Sequence, residues 1–174
     1  MSWTDTWTNY APIFIVLVVA ILGYFATMKA VGYNGWYQNM HKSPMTPPNW
    51  LFGVAWIILY ILIAIAWGRA NFLLKSGETY TLVNWFFVIN IVLNLAWSLL
   101  FFGDGNMIAG LLIILLMLVS TAGLIFLLKF DSTLMVFMII YFAWLLFAFL
   151  LNLYIVQNNC MIADECEKTC PMLM

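Results

Sequence analysis

Five apolar stretches dominate the chain, at residues 12–30, 50–70, 82–102, 107–128 and 134–156, with short polar breaks between most of them. Each can cross a bilayer, because about 20 apolar residues rising 1.5 Å apiece span the hydrocarbon layer. Backbone N–H and C=O groups find no water there, so each stretch is predicted to be helical. The breaks at 72–81, 103–106 and 129–133 are short. Asp104-Gly105-Asn106 is a turn sequence, and Asp131-Ser132-Thr133 offers N-cap residues to the fifth stretch. Short links make sequential helices antiparallel neighbours. The expected fold is an all-α integral membrane protein, a bundle of five transmembrane helices in one domain over 1–158. A polar, cysteine-bearing and flexible tail is expected over 159–174.

The first break is different. Residues 31–49 are long for a bundle loop and contain Gly32, Gly35, Trp36, Tyr37, His41 and Lys42, then Pro44, Pro47 and Pro48. Repeated prolines stiffen the segment and keep it out of either helix. A stiff aromatic loop suits a cover, so Trp36, Pro47 and Pro48 are expected to form a lid.

Composition narrows the function classes. Of 174 residues, 66% are hydrophobic and 7% charged, against a charged share of about 25% in soluble domains. A soluble domain could not cover its surface with so few polar groups. A net charge of −1 leaves no basic footprint for nucleic acid. The N-terminus lacks the positive region of a secretory signal, so the first stretch is expected to be retained as a span. The absence of an N-terminal extension favours a prokaryotic cell membrane over an organelle. With five spans, Arg69, Lys75 and Lys129 fall on one side and Lys29, Lys42 and Lys168 on the other, so charge does not set the orientation. Lys29 and Arg69 stand at helix ends, where they can snorkel. No ionisable group occupies a midplane position, which argues against an ion-coupled transporter and for a receptor, carrier or sensor.

Catalytic groupings are missing as well: there are no paired carboxylates at depth, no Ser/His/Asp set and no phosphate loop. No metal site is expected. The three cysteines, Cys160, Cys166 and Cys170, are an odd set without zinc spacing. Asp164, Glu165 and Glu167 beside them make a soft metal site imaginable, but free thiols in a flexible tail are the expectation. His41 is expected to be a solvated loop residue.

Nine tryptophans remain to be placed. Trp3, Trp7, Trp50, Trp67 and Trp85 lie near the ends of apolar stretches, where indoles anchor to the headgroup layer. Trp56, Trp97 and Trp144 lie inside stretches, where anchoring does not explain them. Helix rise puts Trp56 roughly 9 Å, Trp97 roughly 8 Å and Trp144 roughly 18 Å below the side carrying the long loop. Asn90, Asn94 and Trp97 share one stripe of the third helix; Trp144, Ala148 and Asn152 share one on the fifth; Trp56 and Tyr60 share a face of the second. Amides are costly in lipid, so the asparagine stripe should face inward. Two readings stand. The stripes are either interhelical glue and core filling, or an aromatic cavity with a few polar handles for a flat hydrophobic ligand.

Trp36-Tyr37, the run from Lys42 to Tyr60 (KSPMTPPNWLFGVAWIILY), Asn94-Leu-Ala-Trp97 through Phe101-Phe102-Gly103, and Tyr141-Phe-Ala-Trp144-Leu-Leu-Phe147-Ala148 to Asn152 resemble the translocator protein or tryptophan-rich sensory protein family (TspO/MBR, the peripheral benzodiazepine receptor family). The resemblance covers helices two to five. It implies a pocket for tetrapyrroles such as protoporphyrin IX or haem, taken as ligand and not as required cofactor, and for synthetic isoquinoline-carboxamide and benzodiazepine ligands. The binding residues it implies are Tyr37, Trp56, Asn94, Trp97, Trp144, Phe147 and Ala148. It also implies a homodimer in the lipid bilayer. No catalytic residue is assigned; if the protein degrades porphyrin under light, as some bacterial members resemble enzymes that do, Trp56 and Trp144 would carry it. The chain departs from the family pattern at Gln157, where the cholesterol motif needs a basic residue, and at Tyr154, displaced by one. It departs again at Ile113, where an acidic residue is common, and at Ser43-Pro44-Met45, which transposes two loop residues and lacks an aromatic.

Overall fold

A computed structural model describes the backbone of residues 3–32 and 35–159, and the side chains of 10–28, 30–32 and 35–159. Among the described residues there is no strand. Five helices follow in order: α1 Trp3–Val31, α2 Asn49–Leu74, α3 Glu78–Trp97, α4 Met107–Leu127 and α5 Ser132–Asn158. All five carry a segment long and apolar enough to cross a membrane. The side chains of Trp3, Trp7 and Lys29 and the whole of Cys160, Cys166 and Cys170 lie outside the described residues.

The helices overrun the apolar stretches, because polar turns stay helical after they leave lipid and hydropathy does not register them. Thus α1 starts at Trp3 and runs through Pro12, which removes only one backbone donor. The expected break at 72–81 shrinks to three residues between Leu74 and Glu78, turned by Lys75 at φ 58° and Gly77 at φ 102°. The anticipated cap at Asp131 forms, and Asn106, read as a turn residue, caps α4 as well. Asp131 accepts from the N–H groups of Thr133 and Leu134 at 3.0 and 3.2 Å, and Asn106 accepts from Ala109 at 2.9 Å.

The helices form a closed ring in the order α1, α2, α5, α4, α3, and α2 also meets α3 across the middle. Phe87, Ile91, Met117, Met138 and Tyr141 are fully buried at the centre, while apolar side chains such as Phe14, Ile61, Val92 and Val119 face outward, as a lipid-exposed bundle requires. α3 does not stop at Trp97 but widens into a π-helical turn, Ser98–Gly103. Gly110 lets α4 approach this turn: a Cβ there would lie 2.7 Å from the Phe101 ring and 3.0 Å from the Asn152 amide. Asn152 in turn directs its amide nitrogen to the Met107 carbonyl at 3.2 Å and its oxygen to the Leu111 N–H at 3.3 Å.

One polar chain ties four helices together. Tyr60 on α2 donates to Asn94 Oδ1 at 2.6 Å, and the Asn94 amide donates to the Tyr141 hydroxyl at 3.4 Å. Tyr141 donates to Asn90 Oδ1 at 3.0 Å, and Asn90 donates to Ser120 and Thr121 on α4 at 2.7 and 2.9 Å. In an apolar medium each of these groups needs a partner, and each has one. For Asn90 and Asn94, the glue reading of the stripe is therefore the one realised. Near the opposite membrane face, Trp67 is not an interfacial anchor as its position suggested. It is buried, stacks on Phe87 at 5.3 Å, and donates to Asn84 Oδ1 at 2.7 Å. Trp50 and Trp85 are exposed, as anchors should be.

Candidate functional site

Small residues on one face of α1 (Ala20, Gly23 and Thr27, spaced three and four apart) stand opposite large aromatics on α2. The mismatch leaves a cavity of about 240 Å³ between α1, α2 and the end of α3. Its aromatic wall is a ladder. Tyr60 lies 5.7 Å from Trp56, Trp56 lies 5.7 Å from Trp97, and Trp97 meets Phe102 edge-on at 5.2 Å; Phe101, outside the wall, stacks on Trp97 at 5.6 Å. The cavity opens sideways between α1 and α2, where Tyr24 and Ile57 line it yet are 57% and 62% exposed. Among the described residues, no Asp, Glu, Lys or Arg side chain lines it.

The loop roofs this space by fixed contacts. Gly35 sits so close to the end of α1 that a Cβ would overlap the Ala30 carbonyl. The following turn, Trp36–Asn39, places Tyr37 in the cavity wall, edge-on to Phe102 at 5.4 Å. Burial pushes the Tyr37 hydroxyl up to about 12, so it stays neutral. Lys42 Nζ lies 4.7 Å from the centre of the Tyr37 ring. Trp36 donates to the Phe102 carbonyl at 3.0 Å, pinning the loop to the π turn. His41 and Asn159 bond reciprocally, backbone N–H to Oδ1 at 3.0 Å and amide to carbonyl at 3.1 Å, which ties the loop to the end of α5.

Three of the expected site residues meet: Tyr37, Trp56 and Trp97 line one cavity. Four do not. Asn94 is fully buried behind Tyr60, so Tyr60 and not Asn94 presents oxygen to the space. Trp144 and Phe147 line a separate, open groove between α2 and α5, on the far side of α2. Ala148 is buried and lines neither. The single cavity anticipated for Trp56, Trp97 and Trp144 is thus divided. Phe52 stands in the cavity wall and meets Trp144 edge-on at 5.5 Å. The lid is also narrower than expected, since Pro47 and Pro48 do not line the cavity; the Pro48 carbonyl instead accepts from Leu51 at 2.9 Å and starts α2. Helical periodicity fixes which residues share a face, but not which neighbour that face meets.

Sequence reasoning missed the α1 wall and Ser98. The spacing of Ala20, Gly23 and Thr27 was the available signal for the wall; nothing in the sequence announced the π turn that turns Ser98 inward. Two indole nitrogens, Trp97 Nε1 and Trp144 Nε1, are buried without a hydrogen-bond partner. Among the described residues, no three His, Cys, Asp or Glu side chains group as a metal site.

Residues 13–157 match the model of the TspO/MBR family. A tryptophan-rich protein TspO of Archaeoglobus fulgidus is 37% identical over 153 residues, 86% of this chain and 95% of the relative. A protein of the same description from Chlorobaculum tepidum is 31% identical over 149 residues, covering 83% and 91%. A tryptophan-rich sensory protein of Cereibacter sphaeroides is 32% identical over 88 residues, covering 51% and 53%.

Proposed function

The chain belongs to the TspO/MBR family, and from that premise we propose that it is a membrane receptor or carrier for tetrapyrroles such as protoporphyrin IX or haem. It works in a prokaryotic cell membrane, in keeping with the source of its relatives. The observation that carries this reading is the run of rings Tyr60, Trp56, Trp97 and Phe102 along a cavity that no described charged side chain lines, beneath a pinned loop. Flat π systems gain stacking energy on such a wall. Pockets that enclose a whole drug-sized ligand hold roughly 300–1,000 Å³, so a macrocycle inserts one edge here and leaves the rest in the opening between α1 and α2. Lys42, over the ring of the cavity-wall residue Tyr37, is a candidate partner for a ligand carboxylate.

Titration of the purified protein with protoporphyrin IX, followed by tryptophan fluorescence, tests this. Saturable quenching is expected, and Trp56→Phe and Trp97→Phe should each weaken binding by about threefold to tenfold, the range of one aromatic contact. Unsaturable quenching, or quenching indifferent to both substitutions, would sink the proposal. Illumination of the complex separates carriage from degradation by loss of porphyrin absorbance.

A further inference from the structure

Of the Ser98, Tyr60 and Thr27 hydroxyls, all on residues that line the cavity, only one has a proton to give. Tyr60 commits its proton to Asn94 Oδ1 at 2.6 Å, and Thr27 commits its own to the Gly23 carbonyl at 2.9 Å. Both oxygens can therefore only accept. Ser98 is different. It opens the π turn, where its backbone N–H bonds to the carbonyls of Asn94 and Leu95, and its hydroxyl makes no hydrogen bond among the described residues. Ser98 lines the cavity, so its hydroxyl is open to whatever occupies that space. Opposite stands Gly23. A Cβ at that position would lie 3.1 Å from Ser98 Oγ and 3.7 Å from Tyr60 Oη, so glycine keeps open the space on which both oxygens border.

We propose that this notch of Ser98, Tyr60 and Gly23 admits a second ligand class to the same cavity, flat hydrophobic molecules with a neutral hydroxyl on the inserted end, a group that protoporphyrin IX and haem lack. The inference rests on the cavity being the ligand site. A hydroxyl accepts from Ser98 and donates to Tyr60 or Thr27, which uses both its accepting and its donating capacity. An ionised carboxylate fits badly, since two of the three oxygens offer it no proton and no described charged side chain lines the cavity. The notch therefore sets polarity: an amphipathic ligand enters hydroxyl first.

The test compares pyrene, 1-hydroxypyrene and 1-methoxypyrene on the full-length protein in lipid nanodiscs, read by energy transfer from tryptophan, with protoporphyrin IX quenching as a control. The ratio of pyrene to 1-hydroxypyrene dissociation constants should be about ten, the combined effect of two modest hydrogen bonds. The methoxy compound accepts but cannot donate, so it should bind less tightly than the hydroxy compound. In Ser98→Ala and in Gly23→Ala, the first removing the donor and the second filling the notch, the ratio should fall to about two or less. A wild-type ratio near one, equal binding of the methoxy and hydroxy compounds, or a ratio kept in both variants overturns the notch. If protoporphyrin IX and pyrene bind but the ratio is one, only this inference fails. If neither binds, the cavity reading fails with it.

Discussion

Asn94 joins the cavity to the core of the bundle while touching no ligand space itself. Its oxygen takes the Tyr60 proton and its nitrogen reaches Tyr141, so it fixes which way the Tyr60 hydroxyl points. Asn94→Ala strands the Tyr60 hydroxyl and removes the bond that Tyr141 accepts, while Tyr141 keeps its own bond to Asn90. The substitution is expected to lower stability in detergent by about 1–2 kcal/mol, since single hydrogen bonds in membrane bundles are each worth around 0.6 and at most about 1.7. Thermal unfolding measures that change, and an unshifted midpoint would mean the network is ornamental. At this scale the sequence showed which amides share a stripe, because a 3.6-residue period fixes that. It did not show that Tyr60 would stand between Asn94 and the cavity, because a helix face says nothing of what packs against it. Trp67 makes the same point in reverse: its position at the end of an apolar stretch suggested anchoring, and a half-buried partner, Asn84, decided otherwise.

At the scale of elements, capping and turn chemistry were the most legible features. Asp131 was readable as an N-cap and is one. It also receives two hydrogen bonds from Arg69, at 2.8 and 3.0 Å, which joins the start of α5 to the end of α2. The Arg69 hydrogen bond foremost, then the capped backbone groups, holds its carboxyl below the ordinary 3.8. A depressed folded-state value stabilises the fold at pH above the ordinary value, and that contribution is lost as pH falls through the lowered one. The melting midpoint should therefore decline below about pH 4. Asp131→Asn should melt lower than wild type at neutral pH and show a smaller acid-dependent decline. The π turn was not legible. Its sequence, SLLFFG, reads as more of the same apolar helix, and the widening reflects the contacts that Phe101, Phe102 and Gly110 make with their neighbours.

For the molecule as a whole, five apolar periods announced the membrane bundle plainly, and the loop residues 31–49 announced a cover. The ring order was hidden, because α5 meets α2 across a long sequence separation that no local pattern encodes. That order gives α2 two working faces. Trp56 and Tyr60 look toward α1, while Ala55 and Leu59 look toward α5, and Phe52 stands where the two sides meet. One ring thus acts as a partition between two rooms. The size of ligand the protein admits is consequently a matter of one side chain's rotamer, not of the fold. Phe52→Ala, at a cost of roughly 3 kcal/mol or less for a half-buried ring, should join the spaces. Protoporphyrin IX should then bind more tightly relative to pyrene, and Trp144→Phe, nearly silent in the wild type, should reduce quenching in that background. With the partition gone, the two indoles that the sequence placed in one chamber would share it.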